Sequence, residues 1–243
     1  MFCVIHTLFP GAIRPYLDES ILGIAQELGK LQVELVDFRD FATDSHRKVD
    51  DRPFGGGPGM VLKPEPIFEA VEATERRHGP LHKILLCPRG QTFTQQKARQ
   101  LATKDKLLLL CGRYEGFDER IRLGMTWDEI SIGDYVLAGG ELAALVVLEA
   151  AVRLIPGVLG CAQSPESESF ETDLFDYPHF TRPREYRGMA VPEVLLSGDH
   201  EQVARWRLAE SIRLTQQRTK SPAAAGNAPA AATPPADIPR IQP

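Results

Sequence analysis

Apolar residues in the first half of the chain gather in short runs separated by amphipathic stretches. FCVIHTL at 2–8, LQVELVDF at 31–38, KILLC at 83–87 and KLLLLC at 106–111 predict strands buried on both faces, as in a parallel sheet. The segments between them carry the helical period: RPYLDESILGIAQELG at 14–29 with Pro15 in its first turn, PEPIFEAVEATERR at 64–77 and TQQKARQLA at 94–102. Strand alternates with helix, which predicts an α/β fold with a largely parallel sheet. From 139 the pattern changes. GGELAALVVLEAAVRLIPG predicts one nearly all-apolar helix over 141–154, stopped by Pro156 and Gly157. A helix without a polar stripe has to be covered all round, here by the sheet and by another subunit.

Residues 1–160 therefore read as one main domain. The acidic, proline-marked stretch at 161–172 reads as a mobile linker, and 173–220 as a small, mainly helical second domain. In that domain Asp199 and Gln202 predict a capping box, with Val203, Trp206, Ala209 and Ile212 along one helix face. The Ala/Pro-rich tail at 221–243 has no strand or helix pattern and reads as disordered.

Composition narrows the class. At 43% apolar residues the chain can build a core, yet no run reaches the roughly 18 residues a membrane span needs. MFCVIHTLFP lacks a basic region and reads as a strand, not a signal peptide, so a cytoplasmic protein is expected. Cys3, Cys87, Cys111 and Cys161 are widely spaced with no CxxC, which predicts reduced, buried thiols and no structural zinc. A net charge of -5 argues against a protein that coats nucleic acid non-specifically. It leaves room for local basic islands, TRPREYR at 181–187 and RWR at 205–207.

Four stretches carry candidate chemistry. VDDRPFGGGPGM at 49–60 sets fixed charge beside glycines that free the backbone for close approach to a ligand. It matches neither GK[ST] nor GxGxxG, and a plain turn cluster remains open. LLCPRGQTFTQ at 85–95 and LLLLCGRYEGFDERI at 107–121 each run from a buried strand into a loop, where open α/β sheets collect ligands. In DEISIGDYVLAGGELAAL, Gly133, Gly139 and Gly140 bracket Tyr135 and Leu137 and can wrap backbone round a flat ring. Converging, the three loops suggest a nucleoside-bearing ligand, although GRYEG alone fits a simple turn as well. Arg153, read alone, is equally a solvated cation at a helix end.

Read together, VDDRPFGGGPGM, LLLLCGRYEGFDERI, SIGDYVLAGGELAAL, RLIPGVLG, SFETDLFDYPHFTRP and VPEVLLSGDHEQVARWR resemble the bacterial tRNA (guanine-N1)-methyltransferases, across residues 1–217. The resemblance implies a SPOUT-type α/β domain with a deep trefoil knot, an exception to the rarity of knots, and a homodimer with active sites at its interface. It implies methylation of guanosine 37 in tRNA from S-adenosylmethionine, and it allows a Mg2+ requirement. Cofactor contacts are implied at Leu85, Leu86, Cys87, Pro88 and Gly90, then at Gly112, Tyr114 and Glu115. A third set runs through Ile132, Gly133, Asp134, Tyr135, Val136 and Leu137 to Gly139 and Gly140. Asp50, Gly55, Gly56, Gly57, Pro58 and Gly59 are implied to border the flipped guanine, with Arg52 implied to hold a phosphate or organise the loop. Arg182, Arg184 and Arg205, with Arg187 and Arg207, are implied to meet RNA phosphates.

Arg153 matches the family's essential arginine. Two residues before Phe170 the family carries an aspartate as base, and this chain has Glu168, with Glu166 as the alternative. Ala143 stands where the family has a proline, and the Ala/Pro tail replaces further helical sequence. Two other readings stay open: a dimeric RNA-binding homologue that has lost catalysis, and a SPOUT methyltransferase for another RNA position.

Overall fold

The N-terminal apolar run becomes β1 (Phe2–Thr7), inside a five-stranded sheet ordered β2 (Gln32–Asp37), β1, β6 (Lys106–Cys111), β5 (His82–Thr92) and β7 (Asp128–Ser131). Every pairing in it is parallel; Ile5 faces Leu35 on one side and Leu109 on the other. The computed structural model describes residues 1–160, 169–170 and 174–219. The chain falls into two compact units, dividing between Ser164 and Pro165.

Period-two alternation splits the core of the first unit. Cys3, Ile5, Ile84, Leu86, Leu107 and Leu109 pack on one face with residues of α1 (Pro10–Leu17), α2 (Ser20–Glu27), α4 (Gln95–Ala102) and α6 (Glu141–Val152). Val4, Leu85, Leu108 and Leu110 face the other way, towards α3 (Pro64–His78) and α5 (Glu119–Gly124). Helices on both faces of a parallel sheet make a doubly wound α/β unit. Among the described residues no helix is long and apolar enough to cross a membrane.

Three sequence expectations need correction. The single helix at 14–29 is two: α1 begins at Pro10 and ends at Leu17, and the chain turns at Asp18 and Glu19 into α2, whose first residue, Ser20, has φ 52°. Gly23 packs so tightly under that turn that a Cβ would lie 2.6 Å from the Asp18 carbonyl oxygen. The strand at 83–87 continues to Thr92, because β7 pairs with it on both sides of a register shift between Leu86 and Gln91. β7 itself was not expected, its four residues being half charged.

The second unit holds a hairpin, β8 (Glu185–Tyr186) and β9 (Met189–Ala190), followed by α7 (Glu193–Leu196) and α8 (His200–Thr219). Half of the expected capping box forms: Asp199 Oδ1 accepts from the backbone N–H of Gln202 at 3.0 Å. The Gln202 amide returns to Asp199 Oδ2 at 2.8 Å, while the Asp199 N–H donates to Ser197 Oγ at 3.1 Å. The inward face of α8 is also turned. Val203 and Trp206 are half-buried and Ser211 is buried, but Ala209 and Ile212 are exposed. Trp206 packs against Phe180, centroids 6.3 Å apart, and Thr215 Oγ1 accepts from the Phe175 N–H at 2.8 Å, which sets that phase. The expected linker at 161–172 (apart from 169–170) and tail at 221–243 lie outside the described residues, as does Cys161.

Candidate active site

Parallel pairing brings the ends of β5, β6 and β7 to one edge of the sheet, and a cavity of about 500 Å³ opens there. From β5 it is lined by Leu86, Cys87 and Pro88; from the loop after β6 by Gly112, Tyr114 and Glu115. The loop after β7 adds Ile132, Gly133, Tyr135, Val136, Leu137, Gly139 and Gly140. The convergence expected from the sequence is present.

Three expected cofactor residues do not line this cavity. Leu85 is fully buried on the opposite face of the sheet, since neighbouring strand residues point to opposite sides. Gly90 belongs to a separate depression with Arg89, Gln91 and Trp127, where a Cβ would lie 2.5 Å from the Ile130 nitrogen of β7. Asp134 is exposed at the loop tip, outside the lining.

Backbone contacts hold the loops together. The Gly140 N–H donates to the Gly112 carbonyl at 2.9 Å, and Arg113 pairs with Gly139 in an antiparallel bridge. A side chain at Gly140 would meet Cys111 Cα at 2.8 Å, so only glycine permits this approach. Sequence reasoning missed Arg113, together with the charged wall of Arg89, Glu119 and Arg122. Arg122 donates to Glu129 at 3.0 Å and to Glu119 at 3.2 Å, and Arg89 donates to Glu119 at 3.1 Å. The i, i+3 spacing of Glu119 and Arg122 was the available signal. Cys87 donates its thiol hydrogen to Glu129 at 3.1 Å; burial and that bond raise its pKa.

The glycine-rich run forms the connection between β3 (Asp50–Asp51) and β4 (Val61–Leu62), which pair antiparallel. Gly55, Gly56, Gly57 and Gly59 all have positive φ, a backbone region costly to other residues. The run leans on the second cavity loop: the Glu115 N–H donates to the Met60 carbonyl and the Leu62 N–H to the Gly116 carbonyl, both at 2.9 Å. Gly59 lies so close to Glu115 that a Cβ would fall 2.6 Å from its Cγ. Tyr114, at φ 59°, hydrogen-bonds the Asp50 carboxylate; burial and that negative charge raise its phenol pKa. Arg52 and Pro58 are exposed on the same connection, with Phe54 99% exposed at its tip. The cavity and the glycine run are thus neighbours through the GRYEG loop.

Arg153 caps the C-terminus of α6, half-buried, its N–H donating to the Glu149 carbonyl at 3.1 Å; it does not line the cavity. Glu168 and Glu166 lie outside the described residues. In the second unit Arg182, Arg184, Arg187, Arg205 and Arg207 are all exposed. Arg187 stacks on Tyr186 at 5.1 Å, Arg207 on Tyr177 at 4.7 Å, and Arg205 pairs with Glu201 at 3.7 Å. Among the described residues no cluster of three or more His, Cys, Asp or Glu side chains is placed to hold a metal ion.

Residues 1–222 match the family model described as tRNA (Guanine-1)-methyltransferase TrmD. A protein of Geobacillus kaustophilus named tRNA (guanine-N(1)-)-methyltransferase is 54% identical over 211 residues, 87% of this chain and 86% of its own. Proteins with the same name from Dehalococcoides mccartyi, 54% identical over 213 residues, and Lacticaseibacillus paracasei, 53% over 213, each span 87% of this chain. They are covered over 86% and 83% of their own lengths, respectively. With that extent of match, the chain belongs to the tRNA (guanine-1)-methyltransferase family.

Proposed function

We propose that this chain methylates N1 of guanosine 37 in tRNA, drawing the methyl group from S-adenosylmethionine, as a cytoplasmic homodimer with a SPOUT-type knotted fold. The observation that carries the reading is the cavity enclosed by three separate strand-end loops, which needs no GxGxxG turn. Its size lies within the range of about 300–1,000 Å³ typical of small-ligand clefts. The lining suits this cofactor: Leu86, Ile130, Ile132 and Leu137 offer apolar walls to a purine. Arg89, Glu115 and Glu119 offer both signs of charge to an amino-acid end. The Gly140–Gly112 and Arg113–Gly139 backbone contacts, sealing one loop against the other, support the knot.

When bound, S-adenosylmethionine supplies an electrophilic methyl group on a sulfonium sulfur. Guanine N1 carries a proton and is a weak nucleophile until that proton leaves. Glu168 accepts it as base, and Arg153 stabilises the negative charge that grows on O6. Asp50 and the glycines at 55–59 border the extruded base, where positive φ lets backbone approach a flat ring, and Arg52 holds a phosphate or organises the loop. The exposed arginines of the second unit meet phosphates.

The dimer is supported by α6. Leu142 is 61% and Val146 47% exposed in the single chain, although both belong to an otherwise buried apolar helix. At about 3.6 residues per turn, positions 142, 146 and 153 share one stripe. Arg153 therefore sits on the face that a second copy would cover.

The test is single-turnover methylation of tRNA carrying guanosines at 36 and 37, read by mass. Glu168→Gln should lower the rate by about a hundredfold or more, with S-adenosylhomocysteine affinity unchanged. Glu168→Asp should work at least comparably to the parent. Full rate in Glu168→Gln with loss in Glu166→Gln would transfer the role to Glu166, and loss in neither would remove the linker carboxylate from the mechanism.

A further inference from the structure

Methyl transfer as described leaves Glu141 without a role. It stands in the first turn of α6, only 5% exposed, and does not line the cavity. Thr7, at the end of β1, donates its hydroxyl to Glu141 Oε1 at 2.7 Å. Arg113, from the loop after β6, donates Nε to Oε2 at 3.1 Å and brings Nη2 to the same oxygen at 3.1 Å. The guanidinium then lies over the Phe9 ring at 4.4 Å, and the Phe9 N–H donates to Thr7 Oγ1 at 2.9 Å. Arg113 and Glu141 together fill the space a Cβ on Gly139 would enter. Three chain segments that are distant in sequence thus meet on one carboxylate.

The Glu141 carboxylate is buried while the Arg113 guanidinium is half-buried. Desolvating a charge costs more than its ion pair commonly returns in stability, so such a pair is better suited to fixing geometry. Here it fixes Arg113, which does line the cavity. We propose that Glu141 is a positioning residue: with Thr7 it holds Arg113 against the turn at 138–140, so that the cofactor cavity is shaped before any ligand enters. Glu141 itself touches neither ligand nor reacting atoms.

The proposal rests on the reading that this cavity takes S-adenosylmethionine, and the experiment separates the two. S-adenosylhomocysteine is titrated calorimetrically into the full chain, Glu141→Gln, Arg113→Gln and the double variant. Hydrogen exchange is measured on each without ligand. Glu141→Gln should weaken binding about tenfold, and the double variant should be no weaker than the worse single one, because both break the same link. In Glu141→Gln the KM for cofactor should rise while kcat at saturating cofactor stays within about twofold. Amides at 112–117 and 138–140 should exchange faster, with those of β1 and β6 unchanged. Unaltered affinity, additive losses, or exchange raised evenly through the sheet would each overturn the proposal. Absence of binding by the parent chain would instead refute the cofactor reading, and the exchange pattern would still decide whether Glu141 orders the two loops.

Discussion

His6 is the last residue but one of β1 and has no exposed surface. Its Nε2 is 2.9 Å from Thr74 Oγ1, and the Thr74 hydroxyl donates to the Ala70 carbonyl at 2.8 Å. That hydrogen is spent, so the imidazole carries its proton on Nε2 and donates. Nδ1 is buried without a hydrogen-bond partner among the described residues. Burial drives the pKa down to about 3, and the ring is neutral in the folded protein at any ordinary pH. The unfolded chain takes up a proton here below its pKa of about 6.5, whereas the folded chain does not until about 3. Unfolding thus gains protons across that window, and stability falls as pH falls through it. At pH 5 the cost is on the order of 2 kcal/mol. His6→Gln keeps a donor towards Thr74 and does not titrate. Urea midpoints at pH 7 and pH 5 should therefore converge in the variant relative to the parent, and an equal drop in both proteins would assign the acid sensitivity to carboxylates.

The connection from β3 to β4 gives a sharper test of close approach. Gly56 and Gly59 both sit at positive φ, 79° and 78°, so alanine costs about 1–2 kcal/mol of backbone strain at either. Only at Gly59 does the new methyl also displace the Glu115 side chain; around Gly56 there is open space. Gly59→Ala should weaken S-adenosylhomocysteine binding by about tenfold more than Gly56→Ala in calorimetry, and equal effects would show that the contact is immaterial. The need for glycine in this stretch was legible in the sequence, because each residue type states its own backbone freedom. So were β1, β6 and the start of β5, since apolar runs register burial directly. β2 was legible as a strand, but as the edge of the sheet it is only half-buried and not covered on both faces. β7 was not, because DEIS is short and half charged and owes its pairing to β5. The break between α1 and α2 depends on how Gly23 packs under Asp18, which no periodicity encodes. Leu85 was assigned to the cavity and lies behind the sheet, because a strand-end motif identifies the loop without fixing the phase of the pleat. Thr7 and Glu141 are 134 positions apart, and only the fold brings them together.

The proposed dimer ties assembly to the proposed chemistry. α6 carries Leu142 and Val146 exposed on the stripe that continues to Arg153, so the surface proposed to meet a second copy is also the surface that carries the proposed catalytic cation. If the linker glutamate reaches the site of the other subunit, Arg153 and Glu168 of one working site come from different chains. Arg153→Ala and Glu168→Gln should then each be inactive as homodimers. In a mixed dimer one site inherits both defects, and the other combines the intact Arg153 of one chain with the intact Glu168 of its partner. Random exchange at equal concentration makes about half the dimers mixed, each with one working site, so activity should return to roughly one quarter of the parent level. Were both residues drawn from the same chain, every site in the mixture would remain defective and no activity would return. Leu142→Glu/Val146→Glu supplies the control: it should sediment as a monomer and lose transfer while keeping its folded circular-dichroism spectrum. A fully active monomer from that variant would sink the dimeric site irrespective of the mixing result.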